Sequence, residues 1–292
     1  MAAAPLISVI TVVYNGARHI KNCIDNVQQQ GFRNFEHLIV DGCSTDATVA
    51  IAKEQEGLYS NLRVISEPDK GVYDAMNKGI AYSKGQWLFF LGCDDYFYSN
   101  NALEGIAGQL LVQPVLQPVI VYGNVWHEKL ARIYNGETSV ETLLKSNICH
   151  QAMFFNRAVY DTMGLHQLRF KQQADYDFNL RCWLSGKVKT VFVPVTVAFF
   201  ADGGISAAGE DPALYNEMPE LCIQYLLSGE HTAGDKMNIL AKIYRKTMLR
   251  YGAGRVIKNL LVFRYSGYRL LALAVFVLSI PYYWILKQSQ KK

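Results

Sequence analysis

Neither a G-x-G-x-x-G loop nor a G-x-x-x-x-G-K-[ST] loop occurs in this 292-residue chain. Their absence removes most of the case for a dinucleotide oxidoreductase or a P-loop NTPase. Cysteine is scarce, and Cys23, Cys43, Cys93, Cys149, Cys182 and Cys222 form no C-x-x-C pair. That argues against a disulfide scaffold, a zinc ribbon and a thioredoxin-like site. Met1 to Leu6 holds no basic cluster ahead of a cleavable apolar stretch, so the expectation is a cytoplasmic catalytic domain rather than a secreted one. Charged residues are 18% against 50% apolar, a balance that buries a core and excludes a disordered chain.

The most informative absence is of acid. From Lys236 to Lys292 there are 12 Lys or Arg and no Asp or Glu, which leaves 17 basic residues against 25 acids before them. Nucleic acid or an anionic membrane surface would each suit so basic a tail. Its apolar content decides for the membrane. Leu270–Leu286 is 17 residues without a charge, the lower limit for a bilayer span, and Pro281 lies inside it. Arg264 and Arg269 precede the run, while Tyr282, Tyr283, Trp284, Lys287, Lys291 and Lys292 mark its end, as at a membrane interface. A helix lying on the surface is expected slightly ahead of a true span. A buried helix or a contact between copies of the chain is the plainer alternative.

Leu6–Tyr14 (LISVITVVY) is rich in β-branched residues and is broken by Asn15-Gly16, the pattern of a buried strand feeding a turn. Ala17–Gln30 carries Ile20, Cys23, Ile24 and Val27 at helical spacing. Strands are predicted over 35–40, 62–66 and 86–91, and helices over 47–56 and 73–83, with Ser44 or Asp46 placed to cap the first helix. This alternation implies an α/β fold with a mostly parallel sheet and helices on both faces. In such sheets ligands bind beyond the carboxyl ends of strands, where the polar clusters at Asn15, Asp41 and Asp94 all fall. Past Asn100 the pattern loosens into strands over 119–125, 152–155 and 190–200 and a helix over 175–184. Residues 201–211, with Gly203, Gly204 and Gly209, read as a mobile loop.

In place of glycine loops the chain offers acids at strand ends. A carboxylate such as Asp41 can accept hydrogen bonds from a base or ribose, and Asp94-Asp95 offers hard oxygens to Mg²⁺ or Mn²⁺. Each reads almost as well as turn or cap chemistry when taken alone.

Taken in order, ISVITVVYN, IVDGCSTDAT, SEPDKGVYDAMNKGIAYSKG and WLFFLGCDDY resemble the inverting glycosyltransferases of family 2, over roughly residues 6–205. The runs ICHQAMFFNR, QQADYDFNLR and GGIS resemble the bacterial branch that builds O-antigen, capsule or colanic acid. The resemblance implies the Rossmann-like GT-A fold in residues 1–230, with a nucleotide-sugar half over about 1–100 and an acceptor half over 101–230. Residues 231–292 would then form a basic helical tail. It places the nucleotide against Thr11, Val13, Tyr14, Asn15 and Asp41, and Lys70 near the diphosphate. The family's D-x-D element falls on Gly92-Cys93-Asp94, so its first acid is missing and Asp94 alone matches a metal ligand, which Asp95 or Asp202 could supplement. The catalytic Glu-Asp pair falls on Ala174-Asp175, which makes Asp175 the candidate base and leaves Asp177 a structural acid. His150 and Gln151, with Asp202, fall on the acceptor side, although a satisfied histidine reads equally well at 150.

The implied activity is a metal-dependent hexosyl or N-acetylhexosaminyl transfer, using Mn²⁺ or Mg²⁺. The sugar would pass from a UDP-sugar to a lipid-linked, polyprenyl-diphosphate saccharide at the cytoplasmic face of the bacterial inner membrane. The alternative is a nucleotide-sugar-binding subunit of a membrane assembly that has lost turnover. A nucleotidyltransferase would want a Gly-rich basic loop where Tyr14-Asn15-Gly16-Ala17-Arg18 stands. A processive synthase would want Q-x-x-R-W where Arg181-Cys182-Trp183 stands.

Overall fold

The computed structural model describes residues 4–134, 136–200, 209–252 and 254–255. Asp202 and the run Leu270–Leu286 lie outside the described residues. The chain divides into two compact units, the first made of residues 1–138, 148–179 and 188–211, and the second of 139–147, 180–187 and 212–292. The compositional boundary near residue 231 therefore falls inside the second unit.

The first unit is built on a sheet. Its opening strands β1 (Ile7–Val13), β2 (Phe35–Asp41), β3 (Leu62–Ser66) and β4 (Trp87–Phe90) pair in parallel, in the order β3-β2-β1-β4. β1 and β2 are buried almost throughout, as central strands of a parallel sheet are, although β2 carries Glu36, His37 and Asp41. Between the strands run α1 (Ile20–Gln28), α2 (Thr48–Glu56) and α3 (Val72–Tyr82). Asp46, rather than Ser44, bonds the start of α2, accepting from the Thr48 amide at 3.0 Å and from the Thr48 hydroxyl.

Beyond β4 the sheet stops being parallel. β5 (Tyr96–Phe97) and α4 (Ala102–Leu111) precede β6 (Val119–His127), β7 (Arg132–Tyr134), β8 (Met153–Asn156) and β9 (Lys189–Phe200). The order continues β4-β8-β6-β9-β5, with β8 antiparallel to β4 and β6, β7 antiparallel to β6, β5 antiparallel to β9, and β6 parallel to β9. The expectation of a mostly parallel sheet is thus corrected to a mixed one. A helical crossover sets parallel pairing between the two strands it joins directly, whereas β4 and β8 are separated by β5, α4, β6, β7 and α5. Phe89 stands at the seam, its ring 4.5 Å from Phe154 and 5.2 Å from Phe97.

α5 (Val140–Leu143) belongs to the second unit, and α6 (Arg157–Met163) to the first. α7 (Ala174–Ser185) begins in the first unit and ends in the second. The second unit also holds α8 (Pro212–Leu227) and α9 (Ala233–Tyr251). Leu240, Ile243, Tyr244 and Met248 form the buried face of α9, and Thr232 caps it by accepting from the Asp235 amide. Among the described residues no helix is long and apolar enough to cross a membrane.

Candidate functional site

A cavity of about 870 Å³ opens beyond the carboxyl ends of β1, β2 and β4. Val13, Tyr14, Asn15 and Gly16 line it after β1, and Gly42 does so after β2. Asp69, Gly71, Val72 and Tyr73 bring the start of α3 to it, and Gly92, Cys93, Asp94 and Asp95 follow β4. His150, Gln151, Gln172 and Phe200 complete the wall. Four segments far apart in sequence thus meet at the end of the sheet where such folds take ligands.

Asn15 holds the first turn in place. Its φ of 53° is left-handed, a conformation Asn tolerates better than most side chains. Its amide donates to Ser44 Oγ at 2.7 Å, and its Oδ1 accepts from the Thr45 amide at 2.8 Å. The turns after β1 and β2 are thereby tied together. Asp41 lies beneath them and is 1% exposed. Its carboxylate accepts from the Ser44 amide at 3.0 Å, from the Ser44 hydroxyl, and from Ser66 Oγ at 2.7 Å. Asp41 therefore does not line the cavity, and the protein itself already bonds both of its oxygens. Thr11 is likewise buried in β1, with Oγ1 3.1 Å from His37 Nε2. Lys70 is exposed and outside the lining, although its neighbours Asp69 and Gly71 are in it.

The turn Gly92-Cys93-Asp94-Asp95 folds both carboxylates back over Gly92, and the Asp95 amide closes it on the Gly92 carbonyl at 3.1 Å. A Cβ on Gly92 would stand 2.7 Å from Asp95 Oδ2 and 2.9 Å from Asp94 Oδ1. A side chain at position 92 would therefore have to displace the carboxylate ends of the two following acids. Gln151 Nε2 donates to Asp95 Oδ2 at 2.7 Å, so the acceptor-side Gln151 and Asp95 form one buried pair. Asp94 faces the cavity, half-buried. Paired oxygens of this kind fit Mg²⁺ or Mn²⁺, which take one or two carboxylates and complete their shell with water and phosphate oxygens. Among the described residues no three His, Cys, Asp or Glu gather to hold an ion unaided. Burial, then Asp94 and Asp95, push the Cys93 thiol up to about 12, so it is a neutral wall and not a nucleophile.

Asp175, at the start of α7, is 8% exposed and stands just behind the lining. Tyr73 Oη lies 2.8 Å from Asp175 Oδ1 and 2.6 Å from the Gln172 carbonyl. His150 Nδ1 is 3.7 Å from Asp175 Oδ2. Burial on its own would raise the Asp175 pKa, but the bond and charge of His150 and the bond from Tyr73 outweigh it and hold the group below the usual carboxylate value. Burial works against charge on His150 too, and the Asp175 carboxylate overcomes it, with Asp95 and Asp94 adding to a raised pKa. Burial and then Asp175 drive Tyr73 upward, so it stays a protonated donor. The result is a carboxylate kept ionised beside a cavity. Asp177 is fully buried and accepts from Gln167 Nε2 at 3.0 Å, a structural role as its position two residues on implies.

Tyr73 was the residue that sequence reasoning missed. It lies inside the SEPDKGVYDAMNKG run, but nothing local marks a partner 102 positions away.

A sequence model of glycosyl transferase family 2 matches residues 8–164, more than half of the chain. Among curated relatives, the "PGL/p-HBAD biosynthesis glycosyltransferase" of Mycobacterium bovis strain BCG is 36% identical over 220 residues, 74% of this chain and 85% of that protein. The chondroitin synthase of Pasteurella multocida is 30% identical over 190 residues, 63% of this chain and 20% of the synthase. Among solved structures, S. aureus TarS in complex with UDP-GlcNAc superposes with a TM-score of 0.68 at 18% identity, over 94% of this chain and 81% of the other. The mannosyltransferase PcManGT of Pyrobaculum calidifontis, with GDP-Man and Mn²⁺, superposes with a TM-score of 0.54 at 15% identity, over 95% and 86%. These structural likenesses carry the fold, a GT-A-like α/β arrangement. The family match and the mycobacterial identity carry more: the chain belongs to glycosyl transferase family 2 and is a glycosyltransferase.

Proposed function

We propose that the protein is an inverting, metal-dependent transferase that moves a sugar from a UDP-sugar to a hydroxyl of a lipid-linked saccharide, at the cytoplasmic face of a bacterial membrane. The ionised Asp175 carboxylate, held by Tyr73 and His150 beside a cavity that also presents Asp94, is the observation that carries this reading. An inverting displacement needs one base and no covalent nucleophile. The acceptor oxygen bonds the anomeric carbon as the bond to the diphosphate breaks, and its proton passes to Asp175. The Asp175 side chain is 11% exposed, enough for an acceptor oxygen to reach one edge. Asp94, with Asp95, would hold the divalent ion, which when bound offsets charge on the diphosphate. Neighbours solved with UDP-GlcNAc and with GDP-Man and Mn²⁺ support a nucleotide-sugar donor. The lipid-linked acceptor in surface-polysaccharide synthesis, and the membrane setting, rest on the basic, apolar tail and on the sequence resemblance.

Nucleotide release from a panel of sugar nucleotides, with and without acceptor, tests the reading on the purified full chain. Asp175→Asn should lower turnover about 10²–10⁴-fold while donor affinity stays nearly unchanged. Turnover within threefold of the wild type would remove Asp175 from the role of base. Donor binding with no acceptor-dependent release would favour the binding-subunit alternative.

A further inference from the structure

The second unit contains a groove of about 320 Å³ that shares no lining residue with the cavity described above. One side is α9, where Lys242, Arg245, Lys246 and Arg250 recur at spacings of three and four and so share a face. The other side is the end of α5 with Lys145 after it. Leu144 and Leu249 line the groove between the cations, and Leu249 is 41% exposed although it is large and apolar. Glu141 is the acid in this lining, 3.3 Å from Lys145 and 3.9 Å from Lys242. Five of the residues lining the groove are cations and one is a carboxylate, with Leu144 and Leu249 among them.

We propose that this groove seats the headgroup phosphate of an anionic phospholipid, docking the second unit on a bilayer surface. Charge complementarity selects an anion, and the leucine floor selects one attached to an apolar body. A nucleic acid strand would want rings for its bases to stack on, and none of the residues lining the groove is aromatic. The sequence that follows α9 continues the same chemistry, with Arg255, Lys258, Arg264 and Arg269 ahead of the uncharged run Leu270–Leu286. The groove shares the membrane setting of the proposed function but none of its chemistry.

The test is co-sedimentation of the full chain with phosphatidylcholine vesicles and with mixed phosphatidylcholine–phosphatidylglycerol vesicles. The wild type should bind the mixed vesicles far better. Lys242→Glu with Lys246→Glu should weaken that binding at least about tenfold. Lys84→Glu with Lys129→Glu, exposed positions of the first unit and the same change in net charge, should weaken it no more than about twofold. The neutral pair Lys242→Gln with Lys246→Gln should fall between, and it decides the matter should the reversed pair misfold. Equal losses in groove and control variants, or no loss in either, would overturn the proposal. So would displacement from the vesicles by single-stranded RNA. UDP titration of the same variants reports the donor site separately, so failure of the groove and failure of the proposed function are distinguishable.

Discussion

Asp175 keeps its charge against burial through two neighbours, and one of them can be removed cleanly. Tyr73→Phe deletes the hydroxyl 2.8 Å from Asp175 and little else. A hydrogen bond to a charged group contributes about 1.5–3 kcal/mol, and one pH unit corresponds to about 1.4 kcal/mol. Losing the donor makes the carboxylate easier to protonate, so its pKa rises. The acidic limb of the pH–turnover profile should therefore move to higher pH, by about one unit, with a smaller change at the alkaline end. An unmoved limb would mean that Tyr73 serves only the Gln172 carbonyl. Gly92 gives a second prediction. Gly92→Asp restores the residue type the family carries there, yet it should lower activity about tenfold or more, because a side chain must displace the Asp94 and Asp95 carboxylates. Those carboxylates are flexible ends, so the melting temperature should hardly change while the Mn²⁺ needed for half-maximal activity rises. Higher activity than wild type would refute the crowding account. The placement of Asp94 at the cavity and of Asp175 beside it was legible because each sits in a local run with fixed spacing. The burial of Asp41 beneath Ser44 and Ser66 was not, because a carboxylate at a strand end reads alike whether it faces a ligand or its own turn.

Among the elements, α3 matters most to the site, since its first turn carries Val72 and Tyr73 into the cavity wall. Gly71 precedes it with φ 118° and ψ 176°, a region essentially reserved for glycine. A Cβ there would meet nothing within 4 Å, so Gly71→Ala isolates backbone strain from crowding. We expect a loss of about 1–3 kcal/mol in urea unfolding and a raised donor KM, as relaxation of the turn shifts Tyr73. Unchanged stability together with unchanged KM would show that α3 starts correctly without the glycine. Among the elements up to β4, β1 was legible because a parallel strand buried on both faces reads as a nearly continuous β-branched run, and α1 shows its apolar stripe at 20, 23, 24 and 27. Later elements were harder for physical reasons. β5 has 2 residues and β7 has 3, too few to show a period. Strand direction is not written in hydrophobic pattern at all, so a strand over 152–155 could be read without its antiparallel pairing to β4.

For the whole molecule, the decisive question is where the catalytic chain ends and the membrane-seeking chain begins. Composition suggests a cut near Gly234, where acidity stops. The structure moves that cut, because α9 buries Leu240, Ile243, Tyr244 and Met248, and stripping it would expose what they cover at about 1.5–3 kcal/mol per side chain. A chain shortened after Gly252 keeps α9 and its basic face while losing Leu270–Leu286. The two attractions then come apart by their response to salt. Screening shortens to about 3 Å at 1 M, which removes charge attraction to a surface and leaves apolar insertion almost untouched. The full chain should stay on anionic vesicles in about 1 M salt and leave only with detergent. The shortened chain should bind at low salt, wash off as salt rises, and still bind UDP. Complete release of the full chain by salt would refute insertion of Leu270–Leu286. Salt-resistant binding by the shortened chain would instead place the apolar contact within residues 1–252.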